Sequence, residues 1–149
     1  VTRRQRALVG WREWVVLPDL SPVPVKAKVD TGALTSALHA EDLRHERTPE
    51  GIEVVRFVLL PHQTGEEDAI EVTAPLVDVR EVRSSSGEAE ERPTVRTRLQ
   101  LGDVDVAFDV TLTTRDRMGF RMLLGRRALR RRFLVDPGAS FLFGDLDRD

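Results

Sequence analysis

The 149-residue chain contains no cysteine. That removes a disulfide framework and thiolate chemistry, and it leaves the redox compartment open. Tyrosine is also absent and aromatic residues make up only 5% of the chain, too few for a platform on which single-stranded nucleic acid would stack. Neither sign of charge dominates: 23 basic residues stand against 25 acidic ones, a net charge of −2, which argues against a general nucleic-acid binder. Apolar runs are only a few residues long, so no segment has the length of a membrane span. Val1 to Arg6 is polar and basic with no apolar stretch, so no signal peptide is visible and a cytoplasmic location is expected. The chain starts at Val and not Met, so a removed leader remains compatible with it. The length suits a single domain spanning residues 1–149, large enough for one core.

Val, Ile, Thr and Leu dominate the stretches between turn signals, and those signals recur about every ten residues, which favours an all-β domain. Strands are expected at Ala7 to Leu17, Val23 to Val29, Ser36 to Leu38, Ile52 to Leu60, Ile70 to Val82, Thr94 to Leu101, Val104 to Thr113, Arg121 to Leu124 and Ser140 to Phe143. Pro18, Pro22 and Pro24 separate the first two, as proline does at strand edges. Leu101-Gly102-Asp103-Val104 predicts a tight hairpin turn. Gln63 to Asp68 is a polar loop, and one helix is expected at Arg126 to Arg132.

The most informative stretch is Asp30-Thr31-Gly32-Ala33. Before it, Val25-Lys26-Ala27-Lys28-Val29 alternates apolar and basic residues like a half-buried strand. After it, Leu34-Thr35-Ser36-Ala37-Leu38 is again extended in character. A carboxylate therefore sits in a tight glycine-containing turn between two strands. Taken alone, the triplet also fits an ordinary strand-ending turn, because Asp and Gly are common turn formers. A second element separates the two readings. Met122-Leu123-Leu124-Gly125-Arg126 follows about ninety residues later and leads into Arg127-Ala128-Leu129-Arg130-Arg131.

These two motifs, in this order, resemble those of the retropepsin-like aspartic peptidases. The wider text is similar to a bacterial branch often labelled "ATP-dependent zinc protease". The residues that carry this likeness are Asp30 to Ala33, Thr35-Ser36, Leu38-His39, Met118 to Arg126 and Phe133 to Asp136. The likeness spans roughly Val9 to Phe143. It implies a mostly β, retropepsin-like closed barrel with one short helix, acting as an aspartic endopeptidase on a peptide or protein substrate. Asp30 would be the catalytic acid/base, with Thr31 and Gly32 shaping its loop and Ala33 touching substrate. Leu124, Gly125 and Arg126 would close that loop from behind. Ser84 to Glu88, a small and polar stretch between two long β-prone runs, lies where the family has a flap, so Ser85, Ser86 and Gly87 are substrate-binding candidates. As a hairpin tip with no further role the stretch is equally ordinary.

Aspartic catalysis needs two carboxylates sharing one proton, because like charges so close cannot both ionise easily. Only one Asp-Thr-Gly is present. A homodimer in which each subunit contributes Asp30 across a two-fold axis resolves this. Val135-Asp136-Pro137-Gly138-Ala139 echoes the Asp30 stretch. Pro137 lacks both the hydroxyl and the backbone N–H, so that echo is taken as a turn before the last strand. The family places an Asp beyond the triplet as partner of the Arg after the Gly. Leu34 stands in that place here, leaving Asp136 or a residue of the other subunit to pair with Arg126.

Three histidines, His39, His45 and His62, are the only nitrogen donors for a zinc site, and none forms His-Glu-x-x-His. No metal and no cofactor is expected, and no stretch has the pattern of a phosphate-cradling loop. Arg115, Arg117, Arg121, Arg126, Arg127, Arg130, Arg131 and Arg132 fall close together with only Asp116 opposing them. They form either a solvated face or a basic rim for acidic peptides. The second option gains interest from the family, whose genes often accompany ligases that add glutamate to protein tails. Two other functions stay open beside the peptidase: a non-catalytic peptide-binding domain with an acid-protease fold, and a zinc-dependent hydrolase.

Overall fold

The computed structural model describes residues 6–83, 87–114 and 119–144. The chain is mostly strand. In order these are β1 Ala7–Val9, β2 Arg12–Val15, β3 Val25–Val29, β4 Ser36–Arg47, β5 Glu53–Leu59, β6 Ile70–Arg83, β7 Ala89–Leu101, β8 Val104–Thr113, β9 Met122–Leu124 and β10 Phe133–Val135, with one short helix, α1 Arg126–Leu129, before β10. No helix among the described residues is long and apolar enough to cross a membrane.

Alternation sets which side chains go inward. In β3, Val25, Ala27 and Val29 are buried while Lys26 and Lys28 are half-buried. In β5, Val55, Phe57 and Leu59 enter the core, where they meet Leu99 and Leu101 of β7 and Val110 and Leu112 of β8. The outward positions of β7 carry Arg96 and Arg98. Arg96 pairs with its register partner Asp109 at 2.9 Å, and Arg98 with Asp105 at 2.7 Å.

Eight strands form one sheet in the order β2-β3-β9-β4-β5-β6-β7-β8. A further β4–β8 pairing lets strands β4 to β8 close on one another, so the sheet is partly closed. The short strand β9 lies between β3, to which it is parallel, and β4, to which it is antiparallel. It thus separates the strands on either side of Asp30, which positions the site. A two-stranded parallel pair, β1 with β10, lies apart.

Several expected boundaries change. The run from Ala7 to Leu17 breaks at Gly10-Trp11, because a Cβ at Gly10 would stand 2.2 Å from the Ala139 carbonyl oxygen. The strand expected at Ser36 to Leu38 continues to Arg47, carried through charged residues by its pairing with β5. Ser140 to Phe143 is not a strand. Ser140 only bridges to Arg12, and Phe141 has a φ of 53°. The last strand is Phe133–Val135 instead. The helix stops at Leu129, before the expected Arg132, since Arg130 is extended and Arg131 has a φ of 71°.

Candidate active site

Asp30 is half-buried at the end of β3, and Thr31 and Gly32 beside it are exposed. Its backbone N–H donates to the Leu124 carbonyl at 2.8 Å. Its carboxylate Oδ1 accepts the Gly32 N–H at 2.9 Å, and its carbonyl accepts the Ala33 N–H at 3.2 Å. The loop is thereby folded on itself with the carboxylate oriented from within.

Behind it, Gly125 follows β9 at a crossing with the Thr35 backbone. A Cβ on Gly125 would lie 2.4 Å from the Thr35 carbonyl oxygen, closer than real Cβ contacts come. The Gly125 N–H donates to Ser36 Oγ at 3.0 Å. The N–H groups of Arg126 and Arg127 donate to the Ala33 and Leu34 carbonyls at 2.8 and 3.1 Å. Arg126 Nη1 donates to the Thr31 carbonyl at 3.0 Å. Its partner is therefore backbone of the Asp30 loop, and not Asp136. The sequence predictions Asp30, Thr31, Gly32, Ala33, Leu124, Gly125 and Arg126 thus come together around one loop. A hollow of about 250 Å³ beside it is lined by Thr31, Arg126, Leu129, Arg130, Phe133 and Val135.

The flap candidates Ser85 and Ser86 lie outside the described residues. Gly87 follows them as an exposed bend with a φ of 89°, at the end of the long β6–β7 hairpin.

The Asp136 stretch is more than a turn. The Asp136 N–H donates to the Val9 carbonyl at 2.8 Å, Gly138 N–H to Asp136 Oδ1 at 3.0 Å, and Ala139 N–H to the Asp136 carbonyl at 3.1 Å. Trp11 N–H donates to the Ala139 carbonyl at 2.8 Å, as Arg126 N–H does to Ala33. Gly10 crosses the Ala139 backbone as Gly125 crosses that of Thr35. Each Asp also follows a strand of a parallel pair, β10 with β1 and β3 with β9. The chain therefore builds the same loop twice. The copies differ in sequence, with Thr31 in one at the place of Pro137 in the other, and in exposure, since Asp136 is exposed. Trp11 stands between them: its carbonyl accepts the Val29 N–H at 2.8 Å on the Asp30 side.

Glu13 was not anticipated. It is fully buried, and its carboxylate accepts the N–H groups of Gly10 at 2.7 Å, Leu142 at 3.0 Å and Phe143 at 3.4 Å. It ties the bend after β1 to the C-terminal segment. Its only sequence signal was an acid flanked by two tryptophans within an apolar run. Arg121, expected on a solvated face or basic rim, is buried and donates to the carbonyls of His62 at 2.8 Å and Gly65 at 3.2 Å. Arg115 and Arg117 lie outside the described residues.

The histidines lie beside separate carboxylates: His39 Nε2 is 3.1 Å from Glu41, His62 Nε2 is 2.6 Å from Asp68, and His45 contacts Glu53. Among the described residues no three of His, Asp and Glu converge as metal ligands.

Comparison with known proteins matches residues 8–144 to the RimB-like family, described as retropepsin-like aspartic endopeptidase RimB. A probable alpha-L-glutamate ligase of Shewanella pealeana is 41% identical over 138 residues, which cover 93% of this chain and 30% of that protein. One from Parasynechococcus marenigrum is 41% identical over 145 residues, covering 97% and 31%. The chain thus spans less than a third of these relatives, and their name describes the longer proteins. A crystal structure of a Legionella pneumophila protein with unknown function (DUF785) superposes with a TM-score of 0.77 at 29% identity, covering 93% of this chain and 98% of that one.

Proposed function

Because the chain belongs to the RimB-like family of retropepsin-like aspartic endopeptidases, we propose that it hydrolyses peptide bonds with a water held between two Asp30 carboxylates, one from each chain of a homodimer. One carboxylate, ionised, takes the proton of the attacking water. The other, protonated, donates to the carbonyl oxygen of the scissile bond, so the pair shares one proton throughout. The observation that carries this reading is the Asp30 loop itself, held by β9 from behind and by the Arg126 side chain at Thr31. The β6–β7 hairpin would close over substrate and exclude water, with Gly87 at its turn end and Ser85 and Ser86 as flap candidates by sequence.

Association of two copies is supported by exposed apolar side chains near the loops. Leu8 and Leu134 are 50% and 47% exposed and are register partners on β1–β10, and Leu34 follows the Asp30 turn. Acidic or glutamate-modified proteins are the proposed substrates. The arginines around α1 and the glutamate ligases that contain a related segment both favour them.

A second arrangement has one specific observation behind it: the repeated loop would let Asp136 supply the second carboxylate within one chain.

The test is hydrolysis of an acidic peptide by wild type and by Asp30→Asn, each with and without a chelator. Loss of cleavage in a folded Asp30→Asn protein, with wild type indifferent to chelator, is expected. Cleavage by Asp30→Asn near the wild-type rate would remove the aspartic mechanism, and loss with chelator would turn the reading to a zinc hydrolase.

A further inference from the structure

A cavity of about 180 Å³ lies between α1 and the sheet, next to the Gly125 crossing. Thr35 reaches it from the segment after the Asp30 turn, Arg127 and Arg132 from the α1 side, and Arg80, Thr94 and Arg96 from the β6–β7 hairpin. Charge is strongly one-sided there. Among the described lining residues, Asp109, paired with Arg96 at 2.9 Å, is the one acid against four arginines. Asp78 stands 3.4 Å from Arg80, while Arg127 and Arg132 have no acidic partner among the described residues. The same two arginines border a second hollow, lined among the described residues by Arg130 and Arg131 besides them.

The floor carries an independent sign. Thr94 and its register partner Thr111 both line the cavity, and both are buried. Thr94 is 1% exposed and its Oγ1 has no hydrogen-bond partner among the described residues. A buried hydroxyl left unpaired is costly, so such groups ordinarily meet a partner. Thr94 lines the cavity, so an occupant seated against it is one source of that partner. Four guanidinium groups exclude a cation and favour an oxyanion, which their planar forks bind in two-point fashion. Volume narrows the class further. At roughly 30 Å³ per water, the space holds about six waters. A carboxylate-bearing side chain or a phosphate group fits, whereas a nucleotide needs a pocket of at least about 300 Å³.

We propose that this cavity is an oxyanion-binding site, taking a carboxylate or phosphate group between Arg127 and Arg132 on one side and Thr94 and Arg80 on the other. An occupant links the element that locks the Asp30 loop to the hairpin that ends at Gly87. The site does not depend on the peptidase reading, because binding is measured without turnover.

The experiment is an amide NMR titration of the whole chain with glutarate and, separately, with inorganic phosphate, at ionic strength held constant with sodium chloride. Saturable shifts at Thr35, Thr94 and Thr111 are expected. Saturation by glutarate alone identifies a carboxylate as the ligand group, and saturation by phosphate alone a phosphate; either supports the site. Removing both unpaired arginines, Arg127→Gln with Arg132→Gln, is expected to weaken binding about tenfold or more, and Thr94→Val several-fold. Arg131→Gln, outside this cavity, is expected to leave affinity within about twofold. Shifts that merely follow chloride without saturating, or affinity unchanged in the double variant, would overturn the proposal.

Discussion

At the scale of single residues, chemistry and architecture fall on different side chains of one loop. Asp30 carries the proposed chemistry, and its replacement is expected to be structurally mild. Its Oδ1 accepts one N–H, and the carbonyl oxygen of Asn accepts the same bond. Asp30→Asn should therefore keep the wild-type thermal midpoint within about 3 °C, measured by circular dichroism. Gly125 is the reverse case. A methyl group there meets the Thr35 backbone, which cannot move without opening the crossing. Gly125→Ala should destabilise by roughly 3 kcal/mol in urea unfolding, and an effect below about 1 kcal/mol would show that the crossing is loose. Asp30, Thr31, Gly32 and Gly125 were all legible in the sequence, because a tight turn and a close backbone approach demand particular residue types. Glu13 and Arg121 were not. Arg121 binds carbonyls more than fifty residues away, and two of the three N–H groups at Glu13 come from Leu142 and Phe143 at the other end of the chain, so little that is local marks either as buried.

Among elements, the β7–β8 turn and the start of β6 were read well because alternation and turn chemistry are local, whereas the strands expected at Ser36 to Leu38 and Thr94 to Leu101 extend to Ser36–Arg47 and Ala89–Leu101 through charged residues. The Leu101–Val104 turn is the tight hairpin expected, with Gly102 at a φ of 58°. Asp105 beside that turn is held below the usual carboxylate range, first by the hydrogen bond from Arg98 and then by that from Gln100. A lowered folded value means the contribution is present above the unfolded value and is lost as pH falls through the folded one. The amides of the paired residues Leu101 and Val104 that close the hairpin should accordingly lose exchange protection below about pH 4, and Asp105→Asn should flatten that dependence. Hydrogen exchange against pH decides it. The terminal elements were misread for the opposite reason. The β1–β10 pair joins residues at opposite ends of the chain, and the break at Gly10 follows from a crossing with Ala139, which alternation does not encode. Glu13 holds that join. Glu13→Gln leaves three N–H donors to share one carbonyl oxygen, and a loss of roughly 2 kcal/mol in urea unfolding is expected. Stability equal to wild type would mean that the three bonds contribute nothing net.

For the whole molecule, the echo of Val135 to Ala139 in Val29 to Ala33 was visible in the sequence, but its meaning was not. Pro137 lacks the hydroxyl and the N–H of Thr31, yet Asp136, Gly138 and Ala139 supply the backbone groups that the second loop uses. Whether the second carboxylate comes from Asp136 or from another Asp30 is a question of assembly. If two copies join through the exposed face of β1–β10, Leu8→Asp with Leu134→Asp should shift sedimentation to the monomer and abolish activity together. Activity retained in a monomeric double variant would point to the one-chain arrangement.

The central claim, two Asp30 carboxylates on one water, is tested most directly by mixing chains. Wild type and Asp30→Asn are unfolded together in equal amounts, refolded, and assayed for peptide cleavage against wild type at the same total concentration. If each site needs Asp30 from both chains, only dimers of two wild-type chains cleave, and activity should fall to about one quarter. Activity of about one half would mean that each chain works alone, and would contradict the shared site.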